Sequence, residues 1–362
     1  MLKIKKLDLY ITKKFLTTFF AAIILIIGIV IIFDISEKIE KFVANEATLN
    51  EIIFDYYLNF IPYFMNMYSP LFVFISVIFF TSRLTANSEI IAILSCGVSY
   101  HRMMVPYLAS AAIIAMMSLG LSLYVIPQSN ATRLKFEQKY FKKRQANATS
   151  DIHYKLDATK YVYVGSFSPW NNTAYNFTLE DMQGDRLVSK LSAETARWDS
   201  TSASWRLKNW FIRDYTEGLE DRIRSGSQLD TTIALTIEDF YRNKKTVEQL
   251  SARDLNELIR VQISRGDKMV MYAQIEKHTR LALPFSAFIL TIIGVSLSTK
   301  KRRGGMGWNI GIGIALGFSY ILFLRFSEMF VITDTLPPVV ALWLPNIIFA
   351  AIAAIIYKIA PK

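Results

Sequence analysis

Six long stretches of the sequence contain no Asp, Glu, Lys or Arg, and they constrain the fold more than any other feature. Each holds at least about 19 residues, which as an α-helix rising about 1.5 Å per residue crosses a hydrocarbon layer about 30 Å thick. The sequence therefore predicts six transmembrane helices, at Phe15–Phe33, Tyr56–Ser82, Met103–Ile126, Leu281–Thr299, Gly304–Leu324 and Thr335–Tyr357.

The first apolar stretch also has to be compared with a cleaved signal peptide. It is longer than the apolar part of a signal peptide, and no small-x-small cleavage site follows it before Asp34. A hydrophobic content of 52% supports membrane insertion, so the net charge of +11 is interpreted as topology-setting and not as nucleic-acid binding.

The basic residues beside the apolar stretches predict the orientation. Thirteen Lys and Arg residues lie on the side of the two termini, against three in the two short loops of the other side. By the positive-inside rule both termini are cytoplasmic, in a bacterial inner membrane, and the long segment between the third and fourth spans is outside. Cys96 is the one cysteine, so no intramolecular disulfide holds that segment together.

The external segment has the pattern of a β-rich domain. Short β-type runs bounded by turn residues predict a sandwich or open barrel, and 246–266 is predicted to be a helix with Thr246 and Ser251 as caps. The runs are at 161–165, 173–179, 187–191, 205–215 and 231–237. The resulting domains are 1–126, with a cytoplasmic helix at about 84–97, then 127–270, and 271–362.

Catalytic motifs are missing from the sequence. It has no G-x-x-x-x-G-K-[ST] phosphate loop and no G-x-S-x-G motif, and its three histidines, His101, His153 and His278, are far apart. We therefore expect a subunit that is not an enzyme and that has no cofactor and no metal.

A short amphipathic helix is predicted between the second and third spans. Asn87 or Ser88 would cap it, and its predicted coupling residues are Glu89, Ile90, Ile93, Leu94 and Gly97, with Gly97 ending the helix. One interpretation is a helix lying on the lipid surface, and the other is a lever docked into a cytoplasmic motor subunit.

A basic run follows the third span on the side where positive charge is unusual. Such cations can bind the phosphates of an anionic lipid, and the alternative is a solvated linker helix. The predicted headgroup-binding residues are Arg133 and Lys135 from this run, with Lys38 and Lys41 after the first span. The run itself comprises Arg133, Lys135, Lys139, Lys142, Lys143 and Arg144.

Small residues and prolines mark several helix interiors. Gly307, Gly311, Gly313 and Gly317 form two small-xxx-small pairs, which predict close helix packing in the fifth span. Arg325 and Glu328 are spaced to pair with each other. Kinks are predicted at Pro62, Pro70 and Pro284.

Several segments together resemble the LptF/LptG-type lipopolysaccharide export permeases over nearly the whole chain. The similar segments are 7–13, with Leu7-Asp8 and Tyr10-Ile11; 88–99, with Ser88-Glu89-Ile90 and Cys96-Gly97-Val98-Ser99; 192–196 with 205–207; 280–284; 301–305; and 337–346, with Pro337-Pro338 and Trp343-Leu344-Pro345-Asn346. The opening segment favours an LptG-like member.

The resemblance implies a fold and a set of partners. It implies six spans with an inserted periplasmic β-jellyroll, a cytoplasmic ATPase dimer contacted at Glu89, a second homologous permease, a single-span periplasmic bridge protein and lipopolysaccharide as substrate. One branch of that family often has a lysine at the outer end of the first span, where this sequence has Asp34 with Lys38 one turn later.

Two other functions remain in competition at this point. A membrane-anchored sensor or scaffold whose β domain binds a protein would need neither the basic run nor a lever helix. A secondary transporter is disfavoured because its coupling sites carry ionisable residues deep in the spans, and these apolar stretches have none.

Overall fold

The computed structural model describes residues 6–141, 150–215, 220–241, 244–267, 269–299 and 305–360. Within these residues six helices are long and apolar enough to cross a membrane, which confirms the predicted number. The chain divides into two compact units. One is a helical bundle, formed by the described residues up to Phe136 and from Gln274 onward, and the other is a sheet unit, Glu137–Ala273.

The helices follow one another with two π-helical segments among them, Ile52–Tyr57 and Leu121–Val125. In chain order they are α1 (Lys6–Ala44), α2 (Leu49–Glu51), α3 (Leu58–Met67), α4 (Ser69–Ala86), α5 (Glu89–Ser95), α6 (Tyr100–Gly120), α7 (Ile126–Tyr140), α8 (Ile237–Tyr241), α9 (Lys244–Glu248), α10 (Ala252–Ser264), α11 (Val270–Ser298), α12 (Gly305–Ile332) and α13 (Pro338–Ile359).

Several spans are longer than their apolar stretches, and α1, for example, has 39 residues. An uncharged stretch reports the thickness of hydrocarbon, whereas the helix continues through the headgroup region with charged residues on it. The second span is broken at Tyr68, just before Pro70 in the first turn of α4, as predicted for a proline kink. Pro62 and Pro284 lie inside uninterrupted helices.

Neutral polar side chains bridge the helices inside the bundle. The amide of Asn66 donates to Ser122 Oγ (2.8 Å) and accepts from Ser118 Oγ (2.6 Å), which joins α3 to the third span. Tyr320 OH donates to Asn346 Oδ1 at 2.9 Å. A buried polar group without such a bond is costly in hydrocarbon, so these contacts fix how neighbouring spans face each other.

The sheet unit contains one antiparallel sheet whose six strands lie in chain order. Each strand pairs with the next, as in a meander, and the described strands lack the crossovers that a two-sheet jellyroll requires. The jellyroll is therefore not confirmed. The strands are β1 (Ser150–Lys155), β2 (Lys160–Ser168), β3 (Thr173–Gln183), β4 (Arg186–Asp199), β5 (Ser204–Asp214) and β6 (Arg222–Thr231).

The prediction of a strand at 231–237 is wrong. Thr231 ends β6, which sequence reasoning missed because Arg222–Thr231 is polar and mostly exposed. The apolar residues that follow cover the sheet instead of extending it, because Leu235 accepts a hydrogen bond from Trp205 Nε1 (2.8 Å) and Phe240 stacks on Phe167. Trp205 is fully buried at the centre of this core.

The helix predicted over 246–266 is two helices. It is interrupted at Ser251, whose hydroxyl accepts from the Asp254 backbone N–H and caps α10, as predicted. Thr246, the other predicted cap, lies inside α9 and therefore does not cap a helix. Leu255 and Ile259 of α10 are buried in one apolar cluster with Val247 of α9.

Candidate functional site

Functional side chains are concentrated at two opposite ends of the bundle. We call one of them the terminal end; it comprises the start of α1, the helix α5, the start of α6 and the end of α13. The insertion end comprises the end of α1, the start of the second span and α7. Because the six spans alternate in direction, these two groups of elements lie on opposite sides of a membrane.

At the terminal end, α5 packs on the bundle through the predicted apolar face. Ile90 is 1% exposed, and Ile93 and Leu94 pack partly buried against the same core. Ile91, about 100° around the helix from Ile90, is half exposed. Three of the five predicted coupling residues therefore hold the helix on the bundle, and the face around Ile91 remains accessible.

The ends of α5 are held by backbone geometry. Gly97 has φ +82°, a left-handed conformation that ends the helix as predicted. Ser88, one of the two predicted caps, is the N-cap residue at the other end, but it has positive φ and its side chain makes no capping bond. Asn87 instead donates to Glu89 Oε1 at 3.2 Å.

Glu89 does not simply point away from the bundle. Its Oε2 accepts a hydrogen bond from the hydroxyl of Tyr10 in α1 at 3.1 Å. Close by in the chain, both carboxylate oxygens of Asp8 accept from the Arg102 guanidinium, at 2.7 and 2.6 Å. The start of α1 is thus bonded both to α5 and to α6.

At the insertion end, Lys38 is held by a carboxylate of its own helix. Its ammonium donates to Asp34 and to the hydroxyl of Tyr56. Tyr57 OH donates to the second oxygen of Asp34 at 3.0 Å. An ammonium and two phenols therefore surround one carboxylate, and the charge of Lys38 is balanced inside the protein.

The other predicted headgroup residues occupy different surroundings. Arg133 is only 8% exposed, with its guanidinium 4.8 Å from the centre of the Tyr63 ring. Lys135 is exposed on another side of α7, and Lys41 is exposed near the end of α1. The structure does not bring Arg133 and Lys135 to one face, and Lys142, Lys143 and Arg144 lie outside the described residues.

The four glycines of α12 also divide into two pairs. A Cβ on Gly313 would lie 2.4 Å from Ile78 Cδ1, and one on Gly317 would lie 2.9 Å from Leu71 Cδ1, so this pair packs directly on α4. A Cβ on Gly307 or Gly311 would meet nothing within 4 Å. Near the other end of α12, Arg325 pairs with Glu328 at 2.8 Å, as predicted.

The comparison with protein families decides the class of the chain. The model of the lipopolysaccharide export system permease LptF/LptG matches residues 9–359, which includes both units. The chain belongs to the LptF/LptG family. None of the curated proteins that were compared with the chain matches it.

Membership of the LptF/LptG family confirms the resemblance seen in the sequence. It makes the chain a multi-pass membrane permease of a lipopolysaccharide export system, and permeases of this family are transporter subunits that are in general not catalytic. Within the described residues no group of three or more His, Cys, Asp and Glu side chains is arranged to hold a metal ion.

Two groups of contacts in this LptF/LptG permease were missed by sequence reasoning. Asp8 and Arg102 are 94 residues apart, and no local spacing relates them. Asp34 and Lys38 have the i, i+4 spacing of a helical ion pair, so that signal was available. The two tyrosines that complete the cluster come from the second span and carry no such signal.

Proposed function

We propose that the chain is the membrane subunit of an ATP-driven transporter that extracts lipopolysaccharide from the inner membrane and passes it to a periplasmic bridge protein. The observation that carries this proposal is the family match, because it extends over the bundle and the sheet unit together. In this proposal both termini are cytoplasmic, the sheet unit is periplasmic, and a separate ATPase dimer supplies the energy.

The accessible face of α5 is the proposed ATPase contact. An exposed isoleucine on a helix that packs on the bundle through its apolar face suits a lever that moves as one body with the spans. Glu89, at the start of the helix, would add a charged contact to the ATPase. Ile91→Asp should therefore weaken ATPase association, while Ile263→Asp, on an equally exposed isoleucine of α10, should leave it intact.

The second permease would lie against α1 and α12. In the most apolar part of each of these two spans only 22% and 28% of the residues are buried, against 72% in α4. Their large apolar side chains therefore face outward. Two such chains facing each other would enclose a cavity for the acyl chains. The outward side chains are Ile24, Leu25, Ile32 and Phe33 in α1, and Ile314, Phe318, Leu322 and Phe326 in α12.

The lipid phosphates would bind at the insertion end. Exposed Lys41 and Lys135 are available to an anionic headgroup, and each such contact contributes about 1 kcal/mol at a membrane surface. Lys38 would have to exchange its bond to Asp34 for one to the lipid. Arg133, between aromatic rings, would bind only a phosphate that approaches the inner face of α7.

The sheet unit would receive the lipid and the bridge protein. Among the described strands β6 pairs only with β5, and an open strand edge is a common place for a strand of another protein to add. Continuing the sheet in this way into the bridge protein would complete a jellyroll-like path for the acyl chains.

The proposal is tested by purification followed by reconstitution. The chain should co-purify with an ATPase and with a second homologous permease, and the complex in vesicles should release lipopolysaccharide to a soluble periplasmic acceptor only when ATP is hydrolysed. In a parent with Cys96→Ser, Ile314→Cys should crosslink to the second permease. A chain that is isolated alone and crosslinks only within itself would contradict the proposal.

A further inference from the structure

The first turns of α1 are bonded on two different sides. Asp8 lies on the same face of α1 as the buried residues Ile11 and Phe15, because residues three and four positions apart share a face of a helix. Tyr10 is two residues from Asp8 and points about 200° away from it around the helix. The bonds to Arg102 and to Glu89 therefore come from separate neighbours of α1.

The bond to Arg102 ends a continuous seam between α1 and α6. Along this seam Thr12 Oγ1 donates to the Pro106 carbonyl at 3.5 Å, and the rings of Phe15 and Tyr107 are 6.3 Å apart. At its end both oxygens of Asp8 bind the guanidinium, a two-pronged geometry that fixes direction as well as distance. The base of α1 is thereby anchored to the third span.

The bond between Tyr10 and Glu89 joins α1 to the helix that we propose as the ATPase contact. Glu89 uses Oε2 for Tyr10 and Oε1 for Asn87, so its carboxylate connects the start of α5 to α1. Beyond these contacts α1 is the least buried of the six spans. A displacement of α5 therefore acts on the span that is least enclosed by the rest of the bundle.

From these contacts we infer that the start of α1 transmits motion from α5 to the first span. The Asp8–Arg102 pair is the pivot on α6, and the Tyr10–Glu89 hydrogen bond is the link through which α5 tilts α1. These four are positioning residues that act through the helices and touch neither ATP nor lipid. The inference rests on the proposed function and adds to it the route by which ATPase movement reaches one wall of the lipid cavity.

The link is tested by Tyr10→Phe, which keeps the ring and removes the hydroxyl. The complex with the ATPase and the second permease is reconstituted in vesicles with lipopolysaccharide, and ATP hydrolysis and lipid release are measured together. We expect parental assembly and hydrolysis but about fivefold less lipid released per ATP, the size of effect that one hydrogen bond of this kind supports. Tyr124→Phe, on a tyrosine that is 73% exposed, is the matched control.

The pivot is tested by charge exchange. Asp8→Asn should lower lipid release per ATP without lowering hydrolysis, and Asp8→Arg combined with Arg102→Asp should restore much of it, because the pair is re-formed in reverse. Asp334→Asn, on an exposed aspartate at the other end of the bundle, should have no effect. A residue needed only for folding would instead lower assembly, hydrolysis and release in parallel.

Two results overturn the inference while leaving the proposed function standing. One is a parental ratio of lipid released to ATP hydrolysed in both Tyr10→Phe and Asp8→Asn. The other is a parallel fall of assembly and release that the exchanged pair does not rescue. If the parent complex itself neither binds an ATPase nor releases lipid, the proposed function fails, and the inference fails with it.

Discussion

The bundle and the sheet unit satisfy their polar side chains in different ways. Buried hydrogen bonds between helices of the bundle join neutral groups, as in the bonds of Asn66 to Ser118 and Ser122. In the sheet unit charged side chains pair across neighbouring strands at the surface, such as Lys190 with Glu180 at 2.8 Å and Arg224 with Asp214 at 2.9 Å. The difference follows the surrounding medium, because hydrocarbon penalises a charge that water solvates readily.

The largest expected effect on stability comes from overpacking an apolar contact between two helices of the bundle. Gly313→Leu inserts a side chain where Ile78 already lies, and overpacking of this kind costs about 1–3 kcal/mol. We expect a clear fall in the thermal midpoint of the detergent-purified chain, measured by loss of the monodisperse peak after heating. Gly311→Leu is the control, since its Cβ meets nothing within 4 Å. Equal falls in both variants would show that α12 does not pack on α4 in this way.

Removal of the neutral hydrogen bonds between helices should have the second-largest effect on stability. Asn66→Ala removes both bonds to the third span, and hydrogen bonds between membrane helices are worth roughly 0.6 kcal/mol each on average. The midpoint should fall by less than in Gly313→Leu. Asn59→Ala, in the same helix, removes only bonds to carbonyls one turn away at 2.8 and 3.1 Å and should change the midpoint less.

The Asp34 cluster departs from the contrast between the two regions, as do the Asp8–Arg102 and Arg325–Glu328 pairs, because it places an ion pair at an end of the bundle. Asp34→Asn removes the charge that holds Lys38, so we expect lipopolysaccharide to bind several-fold more tightly, by about 1 kcal/mol for one released cation. Binding is measured with the purified chain in nanodiscs. In the Lys38→Gln background the same change should give no gain, and a gain there would assign the effect to another group.

The smallest expected effect is the pH dependence of the stability of the sheet unit. The Ser189 hydroxyl, followed by the charges of Arg224 and Arg222, holds the pKa of Asp214 below its ordinary value of 3.8. Backbone N–H donors, with Thr159 first, do the same for Asp157. A lowered pKa stabilises the folded state above the unfolded pKa, and this stabilisation is lost as the pH falls through the folded pKa.

We therefore expect β4 and β5 to lose protection from amide hydrogen exchange as the pH is lowered below about 4, after correction for the intrinsic exchange rate. Asp214→Asn should reduce protection at neutral pH and make it less dependent on pH. Asp185→Asn, on an exposed turn aspartate, serves as the control. An unchanged pH profile in Asp214→Asn would contradict this assignment.

Much of the architecture was predictable because it depends on local pattern. Uncharged stretches located the six spans, and Gly97 and Ser251 marked helix boundaries correctly. The errors arose where tertiary contacts override local pattern. The segment around Leu235 and Ile237 has strand-like composition, yet its side chains are buried as a cover over the sheet, while the polar strand β6 is held by its backbone pairing with β5.

The candidate site was only partly predictable, for a related reason. A residue type indicates what a side chain can bind, but not what already binds it within the chain. Lys38 was predicted to bind a lipid headgroup, and the structure shows that Asp34 and Tyr56 hold it. Likewise the apolar face of α5 was correctly located, but it rests on the bundle instead of facing a partner.

The π-helical segment Leu121–Val125 has a consequence for how this family can vary. A π-turn accommodates one residue more than an α-turn, so it marks a single-residue insertion that the helix absorbs locally. Deleting one residue there would restore regular α-helix and rotate the following α7 by about 100°. Arg133 would then move away from the rings of Phe60 and Tyr63. Deletion of a single residue could therefore change the position of this cation without substituting any of the remaining side chains.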